Sequence, residues 1–331
     1  MNKTELPELI FSVTNRCNHS CKFCYYHETL AEDMQEMSLD EIKHVAESLG
    51  RIDRLWISGG EPLVRSDLLE ICRAFHETNH VRNIFLPTNG SFPQRVAEFA
   101  EAIMNFSSEM TLQIMFSLEG GEEVHNHTHN HANAFSNVVA SINALKRIRL
   151  RRLRNKEKLF SVSMNTVVTD QNLSDVLPLM NWVKENLWVD IHTFTPVRGS
   201  ALDPNYSLVD ANAFEDLARQ AQPVFKHYLK RKFGSQVTPE EMQQGLDARY
   251  GTWINVLRGG ALTKPCLAGK RIGVLEPNGD VRVCELKPVV GNVRETGYDF
   301  GQVWNSPNAN AVKATVPGCA CTHGCFISAS S

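Results

Sequence analysis

Short apolar runs recur through the first part of the chain, separated by segments whose apolar positions fall three and four residues apart. Leu9 to Val13, Arg54 to Ile57, Asn83 to Leu86, Thr111 to Phe116, Phe160 to Val168 and Val189 to Phe194 predict six strands. Between the first two, Ser38-Leu-Asp-Glu41 has the form of a capping box, Ile42, Val45, Ala46 and Leu49 follow at helical spacing, and Gly50 closes the segment. Phe135, Val138, Val139, Ile142 and Leu145 repeat the spacing before the fifth strand. Strands separated by helices pair in parallel through right-handed crossovers. The pattern therefore predicts a βα barrel or an open α/β sheet, with its chemistry on loops at the carboxyl ends of the strands.

From about Asp203 the rhythm changes to a polar helical stretch through Tyr250. Arg271 to Leu275 and Val281 to Cys284 then flank Pro277-Asn-Gly-Asp280, a hairpin signal. The expected organisation is a core over residues 1–202, a helical connection over 203–260, and a small cysteine-bearing α+β module over 261–331. At 331 residues, with 42% hydrophobic and 21% charged, the chain is long enough for one large domain and a smaller appendage. Its net charge of −3 gives no general attraction to nucleic acid or to an anionic membrane. Neither a secretory signal nor a membrane-length apolar run is legible, so a cytoplasmic protein is expected.

Nine cysteines change the picture, because all but Cys72 fall in two clusters near the ends of the chain, which points to metal ligation rather than a disulfide framework. Cys17, Cys21 and Cys24 form C-x-x-x-C-x-x-C just after the first strand. Three thiolates on one loop can hold three irons of a [4Fe–4S] cluster and leave the fourth iron open. A zinc site is the competing reading, but it needs a fourth ligand. His19, inside the loop, reads as a loop residue.

Thr14-Asn-Arg-Cys17-Asn-His-Ser-Cys21-Lys-Phe-Cys24-Tyr25, followed by Ser58-Gly-Gly-Glu61-Pro62 after the second strand, resembles the radical S-adenosylmethionine (radical SAM) superfamily. The resemblance implies a partial (β/α)6 barrel, with SAM chelating the free iron of a [4Fe–4S] cluster and reductive cleavage yielding a 5′-deoxyadenosyl radical that abstracts a substrate hydrogen. It also implies that Tyr25 lies near the adenine, that Gly59 and Gly60 let backbone approach a ligand, and that Glu61 accepts from the methionine ammonium. Ser117 and Asn165 resemble ribose- or carboxylate-contacting positions, Thr88-Asn89-Gly90 would line the same cleft, and Arg198 could bind SAM or a substrate carboxylate. Plainer readings stand beside these: polar residues ending strands, and a surface ion pair.

Cys266, Gly279, Cys284 and Cys319-Ala-Cys321-Thr-His-Gly-Cys325 resemble the SPASM and shorter twitch extensions of that superfamily. The resemblance implies one auxiliary [4Fe–4S] cluster on Cys266, Cys284, Cys325 and either Cys321 or Cys319. The remaining cysteines of a full SPASM pattern are missing, and a structural zinc is the alternative.

Cys72 falls on an apolar helix face and reads as a core thiol. His125, His127, His129 and His131 read as a solvated loop, and the basic run Lys146 to Lys158 as a wet helix end, with docking of an acidic reductant as its sharper reading. The expected function is oxidative modification, by dehydrogenation or crosslinking, of a ribosomal peptide or a small natural-product precursor, with a flavodoxin or ferredoxin-type electron donor. The cysteine loop begins so near the start that no N-terminal peptide-recognition domain is expected, which keeps the small-molecule substrate close behind. A redox-neutral radical reaction, such as an epimerisation or a molybdenum-cofactor-type cyclisation, and a zinc-stapled binding protein without catalysis are the alternatives.

Overall fold

The computed structural model describes residues 3–234 and 238–324. All six predicted strands form and pair in parallel: β1 (Glu8–Ser12), β2 (Arg54–Ser58), β3 (Asn83–Thr88), β4 (Thr111–Ser117), β5 (Ser161–Val168) and β6 (Ile191–Pro196). The crossovers carry α1 (His27–Ala31), α2 (Leu39–Ser48), α3 (Leu68–Asn79), α4 (Pro93–Met104), α5 (Glu122–His129), α6 (Ala134–Arg154) and α7 (Leu173–Asn186). Ser38 and Glu41 cap α2 reciprocally as expected. Gly50 does not end that helix in a left-handed turn: Leu49 is already extended, and a Cβ at Gly50 would lie 2.9 Å from the Glu5 carboxylate.

Residues alternate along each strand, and the two faces of the sheet differ. Leu9, Ile57, Leu86, Ile114, Phe116 and Phe194 are buried on the outer face, where the crossover helices pack; Phe11, for example, meets Phe75 of α3 edge-on at 6.0 Å. Full burial of each such side chain contributes about 1.5–3 kcal/mol, so this face holds the helices to the sheet. The inner face is only partly covered. Phe85, Pro87, Met115, Ser117, Asn165 and Thr193 are half-buried there.

The polar stretch forms α8 (Ala211–Gln220), α9 (Gln222–Phe233) and α10 (Pro239–Leu257) beyond β6. The hairpin forms as well, with β7 (Ile272–Leu275) and β8 (Asp280–Arg282) antiparallel and Gly279 at a φ of 91° in the turn. β9 (Val289–Asn292), α11 (Phe300–Trp304) and α12 (Pro307–Lys313) follow. The C-terminal strands do not stand apart: β7 pairs in parallel with β1, Glu8 opposite Ile272, giving one sheet in the order β6-β5-β4-β3-β2-β1-β7-β8-β9. The sheet stays open, a partial barrel whose seventh strand end lies beside the cysteine loop.

Candidate active site

The cysteine loop leaves β1 and is tied down by the loop after β2. Gly60 N donates to Thr14 O at 2.9 Å and Glu61 N to Arg16 O at 3.0 Å. This contact is why two glycines are needed. A Cβ on Gly59, which has a φ of 120°, would lie 2.3 Å from Thr14 O, and one on Gly60 would lie 2.2 Å from Arg16 O. The close approach seen here is to the chain's own cysteine loop. Arg65, buried just beyond, donates to Val13 O at 2.6 Å and Met37 O at 2.7 Å and braces the same loop from below.

Glu61 is almost wholly buried and accepts from Leu63 N at 3.1 Å, Thr88 Oγ1 at 2.9 Å and Asn89 N at 2.7 Å. Three of the roughly four acceptor positions of a carboxylate are therefore occupied by the loops after β2 and β3, leaving about one for any ligand. Burial raises its carboxyl to about 7 against these hydrogen bonds. Ser117 and Asn165 stand opposite each other at the ends of β4 and β5. The Asn165 amide donates to Thr195 Oγ1 and accepts from Thr193 Oγ1, both at 3.1 Å.

Cys17, Cys21 and Cys24 are gathered at one place, each half-buried. Burial pushes the Cys17 thiol up to about 11 and those of Cys21 and Cys24 upward too, and Cys21 is raised further by the charges of Glu119, Cys24 and Cys17. Such thiols are poor nucleophiles by themselves; a metal that drives off their protons suits them better. A cavity of about 730 Å³ opens at Cys17 and Cys24, bordered by Asn15, Arg16, His27 and Leu202.

A second cavity, of about 160 Å³, is lined by Cys266, Cys284, Cys319 and Cys321 together. Cys319 and Cys321 were expected as alternatives; both face the cavity. Cys325 lies outside the described residues. Burial raises the thiols of Cys266, Cys284 and Cys321, that of Cys284 to about 12. Four soft sulfur donors around one small space fit an iron–sulfur cluster, and equally a tetrahedral zinc.

The two cysteine sites meet through Tyr25 and Arg198, both expected at the site, and through Glu285, to which no motif gave a role. Glu285, directly after Cys284, accepts from the hydroxyl of Tyr25, directly after Cys24, at 2.7 Å. Arg198 pairs with Glu285 at 3.4 Å, donates to the Tyr25 hydroxyl at 2.7 Å and stacks over its ring at 4.2 Å. His323, two residues after Cys321, also contacts the Glu285 carboxylate, and Ser58 Oγ lies 3.4 Å from it. Burial would raise Glu285, but Arg198, His323 and the Tyr25 hydrogen bond outweigh it and hold the carboxyl well below the usual range. Arg198 is therefore neither a surface pair nor an idle cation: its ionic partner is the neighbour of a C-terminal cysteine. Alongside, Tyr26 donates to Glu276 at 2.6 Å, bringing the end of β7 into the site. The only available signal was adjacency, a charged residue following a candidate ligand.

Two further expectations are corrected. His125, His127 and His129 lie on helix α5 rather than in a solvated loop, with His131 just beyond it, and His125 and His129 are buried because both turn inward onto Glu119. In the basic run, Arg149 and Arg152 are buried, Arg149 on Asp190 at 2.6 Å and Arg152 on Lys158 O at 2.8 Å. The end of α6 leads into the start of β5, whereas the cysteine loop follows the end of β1, so the run lies at the opposite pole of the sheet from those cysteines. Cys72 is in the core.

The sequence pattern of the radical SAM superfamily matches residues 11–183, and that of an iron–sulfur cluster-binding domain, SPASM, matches residues 266–325. Among curated relatives, an AdoMet-dependent heme synthase of Methanosarcina barkeri is 28% identical over 315 residues, spanning 92% of this chain and 83% of that protein. Among solved structures, SuiB of Streptococcus suis bound to S-adenosylmethionine aligns with a TM-score of 0.60 at 14% identity, over 98% of this chain and 73% of that one. The anSMEcpe structure with bound AdoMet and the Cp18Cys peptide aligns with a TM-score of 0.61 at 18% identity, over 93% of this chain and 82% of that one. At such identities the two structures speak for the fold alone. Among the described residues no helix is long and apolar enough to cross a membrane.

Proposed function

Because the chain belongs to the radical SAM superfamily, whose pattern covers more than half of it, we propose that it carries out a net oxidation, a dehydrogenation or crosslink, on a small natural-product precursor or a ribosomal peptide held between its two cysteine sites. Enzymes of this superfamily require SAM and a [4Fe–4S] cluster, and the SPASM domain binds iron–sulfur clusters in addition. When bound, these groups supply a 5′-deoxyadenosyl radical on one side of the substrate and an electron acceptor on the other.

The observation that carries the reading is the hydrogen bond from Tyr25 to Glu285, which joins the neighbours of Cys24 and Cys284. Cys17, Cys21 and Cys24 hold the first cluster; Cys266 and Cys284, with ligands drawn from Cys319, Cys321 and Cys325, hold the second, so four thiols are available with no need of an open iron. That complete set favours oxidation over the redox-neutral alternative, in which an open iron would take the substrate. Tyr25, the backbone at Gly59 and Gly60, the remaining acceptor of Glu61, Ser117, Asn165 and Arg198 bind SAM from the strand ends.

The half-buried inner face of the sheet, Phe85, Pro87, Met115, Ser117, Asn165 and Thr193, is uncharged. Charge enters from the end of β6, through Arg198, and from the C-terminal module, through Glu285 and Glu276. This division suits a substrate whose uncharged carbon lies on the barrel while a polar group faces the module. The heme synthase relative, which spans most of both chains, supports the small-molecule end of the range. The electron donor is a flavodoxin or ferredoxin-type protein, which the far pole occupied by Lys146 to Lys158 does not serve.

The test is anaerobic reconstitution followed by reduction with SAM present. About eight irons per chain and formation of 5′-deoxyadenosine are expected. Cys284→Ala should keep about four irons and still form 5′-deoxyadenosine, but lose substrate oxidation. A colourless zinc protein, or an alanine variant that oxidises substrate normally, would refute the reading.

A further inference from the structure

Helix α5 lies against the cysteine loop: Lys22 N donates to Thr128 O at 2.9 Å, and Asn130 donates to Ser20 Oγ at 2.9 Å. Its inward side chains, His125 and His129, are one turn apart, and both reach Glu119 at the end of β4, His125 Nδ1 at 3.1 Å and His129 Nε2 at 2.5 Å from the same carboxylate oxygen. All three residues are at most 1% exposed. The other nitrogen of His129, Nδ1, lies 3.3 Å from Cys21 Sγ and 3.0 Å from His19 Nδ1, and His19 Nε2 lies 2.8 Å from Ser91 Oγ. Two ring nitrogens facing each other at that distance must share a proton: with His129 Nε2 donating to Glu119, a neutral His129 accepts it from His19, whereas a protonated His129 presents an N–H to the Cys21 sulfur.

Glu119 is a buried carboxylate whose side-chain partners among the described residues are these two imidazoles, of which burial lowers His125 to about 4 and keeps it neutral while its Nδ1 accepts from Glu119 N at 3.2 Å. Burial would raise its carboxyl, yet His129 and His125 hold it at about 2. Keeping a charge in this place is costly unless it is paired and hydrogen-bonded, as Glu119 is with His129. A carboxylate that fixes a histidine ring is the arrangement that tunes a ligand from outside the metal.

We propose that Glu119 is a positioning residue which, through His129, sets the reduction potential of the cluster held at Cys21. Hydrogen bonds to cluster sulfurs and nearby charge are the levers by which a protein moves that potential. The inference rests on Cys17, Cys21 and Cys24 holding the cluster as proposed above, and it gives the buried histidines of α5 a task distinct from binding SAM or substrate.

The experiment is an EPR-monitored redox titration of the reconstituted holoenzyme, with the cluster on the barrel identified as the one whose signal changes when SAM is added. Glu119→Gln removes the charge and should raise the potential, increasing the reduced-to-oxidised ratio at a fixed potential at least tenfold, or 59 mV for one electron. Glu119→Asp should return it to within about threefold of the unaltered protein, and the auxiliary cluster should not move. His125→Gln, which touches Glu119 but not Cys21, should shift the ratio less than threefold. If Glu119→Gln takes up no iron, His129→Gln decides, and it should move the ratio at least threefold. An unshifted potential with full iron, or loss of iron in both variants, would overturn the proposal. Absence of any [4Fe–4S] signal in the unaltered protein would instead sink the functional reading on which it rests.

Discussion

Tyr25→Phe removes one oxygen from the point where the two cysteine sites meet, and its cost follows from what that oxygen does. It donates to Glu285 at 2.7 Å and accepts from Arg198 at 2.7 Å. Each hydrogen bond to a charged group contributes about 1.5–3 kcal/mol, and with two lost the variant should be destabilised by at least that amount. Glu285→Gln deprives both Arg198 and His323 of their carboxylate. Breaking a buried pair costs about 3–5 kcal/mol, and the partial exposure of Arg198 places the expected loss at the lower end. Because both variants remove the same contact, the double variant should fall short of the sum by about 1–2 kcal/mol.

Urea denaturation of the apoprotein measures all three, each effect being a large share of a total stability of about 5–15 kcal/mol. The pH dependence gives a second handle. Glu285 is held well below the ordinary value of 4.5, so its stabilisation is present above that pH and is withdrawn as the pH falls. The gap between the unaltered protein and Glu285→Gln should therefore narrow as the pH drops from about 5. Additive single effects, within about 0.5 kcal/mol, would refute the bridge as an energetic unit.

Gly60→Ala leaves every cysteine in place but puts a methyl 2.2 Å from Arg16 O; it should cost about 1–3 kcal/mol and lower iron uptake at the barrel, read by iron analysis. Glu61, raised by burial to about 7, binds more protons folded than unfolded between pH 4.5 and 7. Apoprotein stability should fall across that window by about 3 kcal/mol, and the fall should be missing in Glu61→Gln, as urea midpoints at several pH values would reveal. Cys319→Ser and Cys321→Ser should each lose about four irons while 5′-deoxyadenosine formation persists; a variant that keeps all its iron would remove that residue from the ligand set.

Six strands, the capping box at Ser38 and the hairpin at Asn278-Gly279 were legible because each depends on residues within a few positions of one another. So were the two cysteine clusters, since ligands on one loop advertise themselves by spacing. The glycines after β2 were legible as glycines but not in purpose, because what crowds them is the backbone of Thr14 and Arg16 on another strand's loop.

Long-range placement is where the sequence alone stopped. Nothing in the order of residues brings Glu285 to Tyr25, 260 positions away, or turns His129 onto Glu119 and Cys21. The alternating histidines looked solvated because polar residues without an apolar stripe ordinarily are; a buried carboxylate at the end of β4 gave two of them a reason to turn inward. The position of β7 is of the same kind. Its apolar run predicts a strand, but only packing decides that its open edge is covered by β1, and that pairing carries Cys284 and Glu285 into the mouth of the barrel. Motifs lie along the chain and are written in it; the chamber they build depends on which strand edges and buried charges find each other, and this the fold alone decides.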